Sequence, residues 1–490
     1  MTSKLDGLSF QDSRTPNHWS EIPMHDQLPE AANQDAILDP FDETFRVEFE
    51  GDHDPFSPRN MPPLNKWLIV MVVCTATICV TCTSSIYTTT YTQLERDFSA
   101  TRISSVLGLS TFVLGIAFGP LLTGPLSEHY GRRLIYLVSW SMFVIWTIPS
   151  ALAQNMLTLI ITLLQRVLRE CLSLRCRWHG WGYLLKGPIA KTNGLSVIGA
   201  LHRWTYYLIL VWATILLIGV AFVPETFHPI VLRIKARKLR SETGDDRYWV
   251  SCEQMNKTRW KTVALTLMRP FQLFFLEPMC LCLNLYSATL LGILYLFFGT
   301  LPQIFRTNHG MNLWQSGLTF LGIIAGMIVA AATNPVWIRI RFWLLDMHKG
   351  TRAYGHSHPE YQLPPAIAGG ALIPIGLFWF AWTTQGNVHW LVPVLGSSLF
   401  GCGVILVFNG IFTFLVEAYS NYAASALASN SFARASIAAA FPLIQLPMYD
   451  KLGYHWGTSV LAFMTVAMMP FPWLFFKYGK ILRRKSRFAS

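Results

Sequence analysis

GPLSEHYGRRLIY, residues 124–136, sets Glu128, Arg132 and Arg133 between two long apolar runs, Ser105–Pro125 and Leu134–Ala153. Each run is close to the about 20 residues that a helix needs to cross a hydrocarbon core. The stretch is therefore a short connection between two bilayer-crossing helices. Gly124 and Gly131 permit a tight turn and close helix approach. The acid and the arginines are placed to form ion pairs at the helix ends.

Working outward, the composition fits the same class. Of 490 residues, 52% are hydrophobic and only 13% charged, with 32 Phe and 18 Trp; a soluble domain carries about a quarter charged residues. Ten apolar spans can be placed: Trp67–Tyr87, Ser105–Pro125, Leu134–Ala153, Tyr206–Val223, Pro278–Gly299, Gly317–Trp337, Ala366–Thr384, Leu391–Val416, Ala423–Tyr449 and Thr458–Phe476. The fold class is an all-α polytopic membrane protein.

The net charge of +12 is not a nucleic-acid signal. Residues 1–65 hold thirteen Asp and Glu against four Lys and Arg, and read as a disordered acidic tail. The cations lie in short loops beside spans, where they orient a membrane protein. Lys and Arg crowd 224–269, 338–364 and the C-terminal tail, whereas 300–316 and 385–390 together hold one Arg and no Lys. Both termini and the 224–269 linker are thus expected in the cytoplasm. The start, MTSKLDGLSFQD, has no apolar core of a signal peptide. Cys171, Cys176 and His179 are spaced loosely like zinc ligands but lack a fourth. No nucleophile, metal or nucleotide constellation stands out, so neither an enzyme nor a cofactor is expected.

Several spans carry polar groups. The first holds Thr75, Thr77, Thr81, Thr83, Ser84 and Ser85, with Tyr87 at its end; Asn284, Tyr286 and Asn409 lie in later spans. Two readings are open: hydroxyls bonded back to their own helix, or a wall facing a polar cavity. Arg434 is a cation about twelve residues into an apolar helix, with Asn430 one turn earlier on the same face. A buried Arg normally faces the bundle interior or water, as a ligand for substrate or as a tie to carbonyls or an acid. Gly115 with Gly119 and Gly322 with Gly326 give spacing for close helix contact.

The 124–136 stretch resembles the loop signature of the major facilitator superfamily, with Gly124, Leu126, Glu128, Gly131, Arg132 and Arg133 at matching positions and Glu128 where Asp is commoner. FVPETFHPIVLRIKARKLR, ASNSFARASIAAAFPL and MPFPWLFFKYGKILRR are similar to the drug:proton antiporter branch, especially its fungal multidrug and polyamine-type members. The resemblance implies two six-helix halves rocking about a midplane site, with Gly124, Glu128, Gly131, Arg132 and Arg133 in the cytoplasmic gate. It places Thr81, Ser84, Tyr87, Asn284, Tyr286, Asn409, Asn430 and Arg434 as candidates for the substrate cavity. The implied organisation is a tail (1–65), an incomplete N-terminal half (66–223), a basic linker (224–269), a six-helix C-terminal half (270–477) and a basic tail (478–490). The implied function is export of a drug, polyamine or secondary metabolite by a monomer in the plasma membrane, with a proton gradient as energy source. The proton needs a titratable carboxylate, and Glu95, Asp97, Glu277 and Glu417 all lie near span ends rather than at the midplane.

One segment departs from the family. Residues 165–202 hold no run near span length, Arg166 fits the arginine motif only in part, and the glycine–proline repeat of the antiporter signature is missing although Gly187 and Pro188 remain. The fourth and fifth family spans are therefore expected to be disrupted, by a deletion or a shift of reading frame. The rival functions are a non-transporting remnant and an uptake facilitator.

Overall fold

A computed structural model describes residues 60–152, 201–250, 259–347 and 359–486, apart from a few positions within 90–100 and Asp246, together with 45–49, 54 and 56 of the tail. Residues 165–200 of the altered segment, the zinc-like trio Cys171, Cys176 and His179, and Asp97 lie outside these residues, while Leu201 and His202 begin the helix Leu201–Ala221.

Fourteen α-helices and two short 3-10 helices, Pro359–Gln362 and Ser420–Tyr422, make up most of the described chain. The N-terminal half contributes α1 (Pro63–Thr89), α2 (Arg102–Tyr130), α3 (Arg132–Ala151) and α4 (Leu201–Ala221). The linker forms α5 (His228–Thr243) and α6 (Arg259–Leu276). The C-terminal half runs through α7 (Pro278–His309), α8 (Leu313–Leu318), α9 (Phe320–Ala332), α10 (Asn334–Met347), α11 (Pro364–Thr383), α12 (Leu391–Ala418), α13 (Ala423–Met468) and α14 (Pro470–Lys485). Eight segments among the described residues are long and apolar enough to cross a membrane. Each of the ten expected spans coincides with helix over most of its length; Tyr206–Val223 overruns α4, which ends at Ala221, and Gly317–Trp337 is divided among α8, α9 and α10. The last two spans share a boundary that sequence alone puts at a loop: α13 continues to Met468 and turns at Gly453, whose φ of 71° suits a residue without a Cβ.

Helix ends follow local chemistry. Thr101 caps α2 by accepting the Ser104 N–H at 3.4 Å. Asn312 and Gln315 form a reciprocal capping box on α8. Gly310 closes α7 in the left-handed region at φ 63°. Small residues set the closest helix pairs. A Cβ on Gly326 of α9 would run into the Ser398 carbonyl of α12 and stand 3.0 Å from the Cys402 nitrogen. Gly369 and Gly376 of α11 meet Gly403 and Gly396 of α12 in the same manner, so α12 is held between α9 and α11 by backbone contact. The two halves meet where α2 packs along α13. There Phe432 of α13 makes edge contacts with Phe118 of α2 at 5.4 Å and Phe271 of α6 at 5.4 Å.

Two expectations change. The linker is largely helical, because IVLRIKARKLR repeats its apolar positions at helical spacing and buries Val231, Lys235 and Ala236. Part of the tail expected to be disordered packs on it. Val47 pairs through its backbone with Trp249 and joins Ala236 and Val250 in a small core under Leu232, Leu239 and Tyr248. The Lys235 ammonium donates to Asp54 at 2.8 Å and to the Glu48 carbonyl at 3.2 Å, with the two side chains 7% and 2% exposed.

Candidate substrate site and cytoplasmic gate

The six Ser and Thr hydroxyls singled out in α1 are satisfied within that helix. Thr75, Thr77, Thr81, Thr83, Ser84 and Ser85 each donate to a carbonyl three or four residues back, at 2.7–3.2 Å. This back-bonding is the usual way for Ser and Thr to sit in an apolar helix. Tyr87 reaches across to α2, where its hydroxyl donates to the Ser105 carbonyl at 3.0 Å beside Gly108.

The polar groups of the C-terminal half converge differently. Asn284 on α7 and Asn430 on α13 are 0% and 1% exposed. Asn430 Nδ2 donates to Asn284 Oδ1 at 2.9 Å and to Ser287 at 2.8 Å; Asn284 Nδ2 donates to Ser429 at 3.0 Å. A buried polar group left without partners costs about 1–3 kcal/mol, so this network pins α7 to α13. The Asn430 Oδ1 atom has no donor among the described residues.

One turn on, Arg434 is 4% exposed and its Nε and Nη1 have no acceptor among the described residues. Its guanidinium instead lies over the faces of Phe408 and Phe412 of α12, at 5.3 and 5.0 Å from the ring centroids. At about 1.5 Å per residue, Arg434 is about 17 Å along α13, near the middle of a core about 30 Å thick.

The other cavity candidates lie elsewhere. Asn409 binds Asn334 Oδ1 at 3.1 Å and so joins α12 to the start of α10. The Tyr286 hydroxyl is buried beside Gly370 of α11 without a hydrogen-bond partner among the described residues. Of the eight candidates, the structure brings together Asn284, Asn430 and Arg434 and adds Ser287 and Ser429, which sequence reasoning passed over.

The connection between α2 and α3 turns on Gly131, at φ 90°. A Cβ there would stand 2.6 Å from Glu225, so both the backbone and the space call for glycine. Glu225 follows α4 and is the residue the sequence did not single out. Its carboxylate accepts the backbone N–H groups of Arg132 at 3.1 Å and Arg133 at 3.0 Å, and those of Thr226 and Phe227. An anion at the first turn of α3 also meets the positive end of its helix dipole. The Arg133 guanidinium donates to the Ala221 carbonyl at 3.1 Å, and Arg132 lies over Phe227 at 5.5 Å. Gly124 lies within α2; the side chain of Glu128 is outside the described residues.

The C-terminal half carries a second carboxylate tie between helix ends. Glu360, just before α11, takes a fork from Arg483 near the end of α14 at 3.0 and 3.1 Å. Here too a glycine lies under the carboxylate: a Cβ on Gly479 would stand 2.8 Å from Glu360. A further tie joins Arg341 and Gln362 to Glu417 at 2.7 and 2.6 Å. Among the carboxylates weighed for proton transfer, Glu417 is thus in an ion pair, and Glu95 pairs with Arg102 at 2.9 Å. Glu277 is 3% exposed at the start of α7, with the Tyr419 hydroxyl 3.5 Å away. Burial, with Cys280 and Glu277 nearby, holds the Tyr419 phenol above its ordinary range.

Residues 187–442 match the Major Facilitator Superfamily and residues 70–169 the sugar (and other) transporter family. The efflux pump atB of Aspergillus terreus is 43% identical over 467 residues, covering 91% of this chain and 90% of that protein. The chain belongs to the major facilitator superfamily. As a superfamily member it also resembles the multidrug transporter mdrA of Aspergillus fumigatus, at 36% identity over 90% of this chain and 75% of that protein. Among solved structures, the xylose transporter XylE of E. coli, in a partially occluded inward-open conformation, aligns with a TM-score of 0.56 at 14% identity. That alignment covers 84% of this chain and 99% of XylE, and it establishes the superfamily fold.

Proposed function

We propose that this superfamily member exports a small amphipathic molecule from the cytoplasm across the plasma membrane by alternating access, driven by a proton gradient. The observation that carries the reading is near full-length similarity, at 43% identity, to a protein named as an efflux pump. Other relatives are named as transporters of citrinin biosynthesis clusters in Monascus, at 33% and 32% identity. They favour a secondary metabolite over a nutrient as cargo.

In this account the chain acts as a monomer with both termini in the cytoplasm. Gly131, Arg132, Arg133 and Glu225 form the gate of the N-terminal half, and Glu360 with Arg483 forms that of the other. The proton-carrying group is assigned to Glu277, a buried carboxylate at a span end. The test is efflux of a fluorescent cargo from vesicles under an imposed proton gradient. Export should fall on Arg132→Ala and on adding an uncoupler, and Glu277→Gln should remove the dependence on the gradient. Export indifferent to all three would overturn the mechanism. A non-transporting remnant is the second reading, favoured by the loss of the glycine–proline repeat within 165–202. Reading the transcript across codons 150–210 separates the two.

A further inference from the structure

We propose that Arg434 and Asn430 form an acid-recognition point, selecting cargo that carries a carboxylate with a hydrogen-bond donor beside it on a flat apolar body. The proposal rests on the transport reading and adds to it a class of cargo.

An arginine side chain stays protonated at any pH a protein meets, so the charge of Arg434 cannot be relieved by losing its proton. Among the described residues no carboxylate pairs with it, and Nε and Nη1 lack any acceptor although the side chain is 4% exposed. Breaking or omitting the partner of a buried charge is strongly unfavourable, so a structural tie would have supplied one. Phe408 and Phe412, stacked at 5.7 Å with planes 15° apart, hold the guanidinium by their faces. Such contacts fix a cation without neutralising it, which leaves its N–H groups for an anion from outside the chain.

Asn430 adds the second half of the pattern. Its Nδ2 is committed to Asn284 and Ser287, which fixes the side-chain orientation and leaves Oδ1 as an acceptor without a donor. One helical turn separates the two residues, so they present a donor pair and an acceptor on one face. A carboxylate with a neighbouring hydroxyl or N–H supplies the complements. That face of α13 meets α7 and α12, whereas Phe432 on its other side meets α2, so cargo reaches it as α13 shifts against α7 and α12.

The test is calorimetric binding of 3-hydroxy-2-naphthoate and its carboxamide to the purified full chain in nanodiscs, with no transport needed. Wild type should bind the acid at least tenfold more tightly than the amide, and 2-naphthoate more weakly than its hydroxylated form. Arg434→Gln should bind acid and amide alike, whereas Arg434→Lys should keep part of the preference. Arg434→Met should melt at or above the wild-type temperature, because it removes a buried charge that lacks a partner. Equal affinities in wild type, or an acid preference that survives Arg434→Gln, would overturn the proposal. So would a melting temperature lowered by several degrees in Arg434→Met, which would make the residue a structural anchor. Wild type that shows the acid preference but no export refutes only the transport reading; wild type that exports without any acid preference refutes only this site.

Discussion

Replacing Glu225 by Ala tests the gate geometry most sharply. The carboxylate accepts four backbone N–H groups, and those of Arg132 and Arg133 open α3. A hydrogen bond to a charged group contributes about 1.5–3 kcal/mol. Both α3 bonds are partly open to water, which substitutes for the lost acceptor, so the low end applies to the pair: about 2 kcal/mol. At about 1.4 kcal/mol per factor of ten, the first turn of α3 should open about 30-fold more often. Hydrogen exchange read on peptides covering 130–135 should accelerate by that factor in Glu225→Ala. Glu225→Gln keeps one acceptor oxygen but turns an NH2 group toward a donor, and should give a smaller acceleration. Exchange unchanged in Glu225→Ala would refute the idea that this carboxylate anchors the gate turn.

Asn284→Ala removes the acceptor of one Asn430 bond and the donor to Ser429, and should destabilise the α7–α13 contact by about 1–3 kcal/mol; a melting curve of the purified protein reads this. Gly326→Ala pushes a methyl into the Ser398 backbone and should cost at least the about 1–3 kcal/mol of an overpacked core, again seen as a lower melting temperature. Asp54→Asn leaves Lys235 buried without its counter-charge, a loss of about 3–5 kcal/mol for a buried pair. Limited proteolysis should then cut within 45–60 while the membrane helices stay intact.

The spans were legible because a bilayer demands long apolar runs, and these have a period and length that any window can see. The turn at Gly131 was legible because it must adopt φ 90° and the arginines flank it locally. Its partner was not: Glu225 lies 93 residues from Arg132, and nothing in its own neighbourhood marks it as a cap. The same holds for Glu360 and Arg483, 123 residues apart. Asn284, Asn409 and Asn430 give one and the same signal, an amide in an apolar run. Only packing separates them, bringing Asn284 to Asn430 across 146 residues while Asn409 goes to Asn334. Asn430 and Arg434 could be read as one face from their spacing, but the absence of an acceptor for Arg434 is a tertiary fact. The linker was misread as plain loop because its cations hid an apolar stripe.

The central claim is proton-driven export, and proteoliposomes holding the purified chain test it directly. With transporter and fluorescent cargo inside, cargo should move only when a proton gradient is imposed, stop on adding an uncoupler, and fall severalfold in Arg132→Ala. Movement at the same rate without a gradient, or none with the protein folded and inserted, would contradict the account.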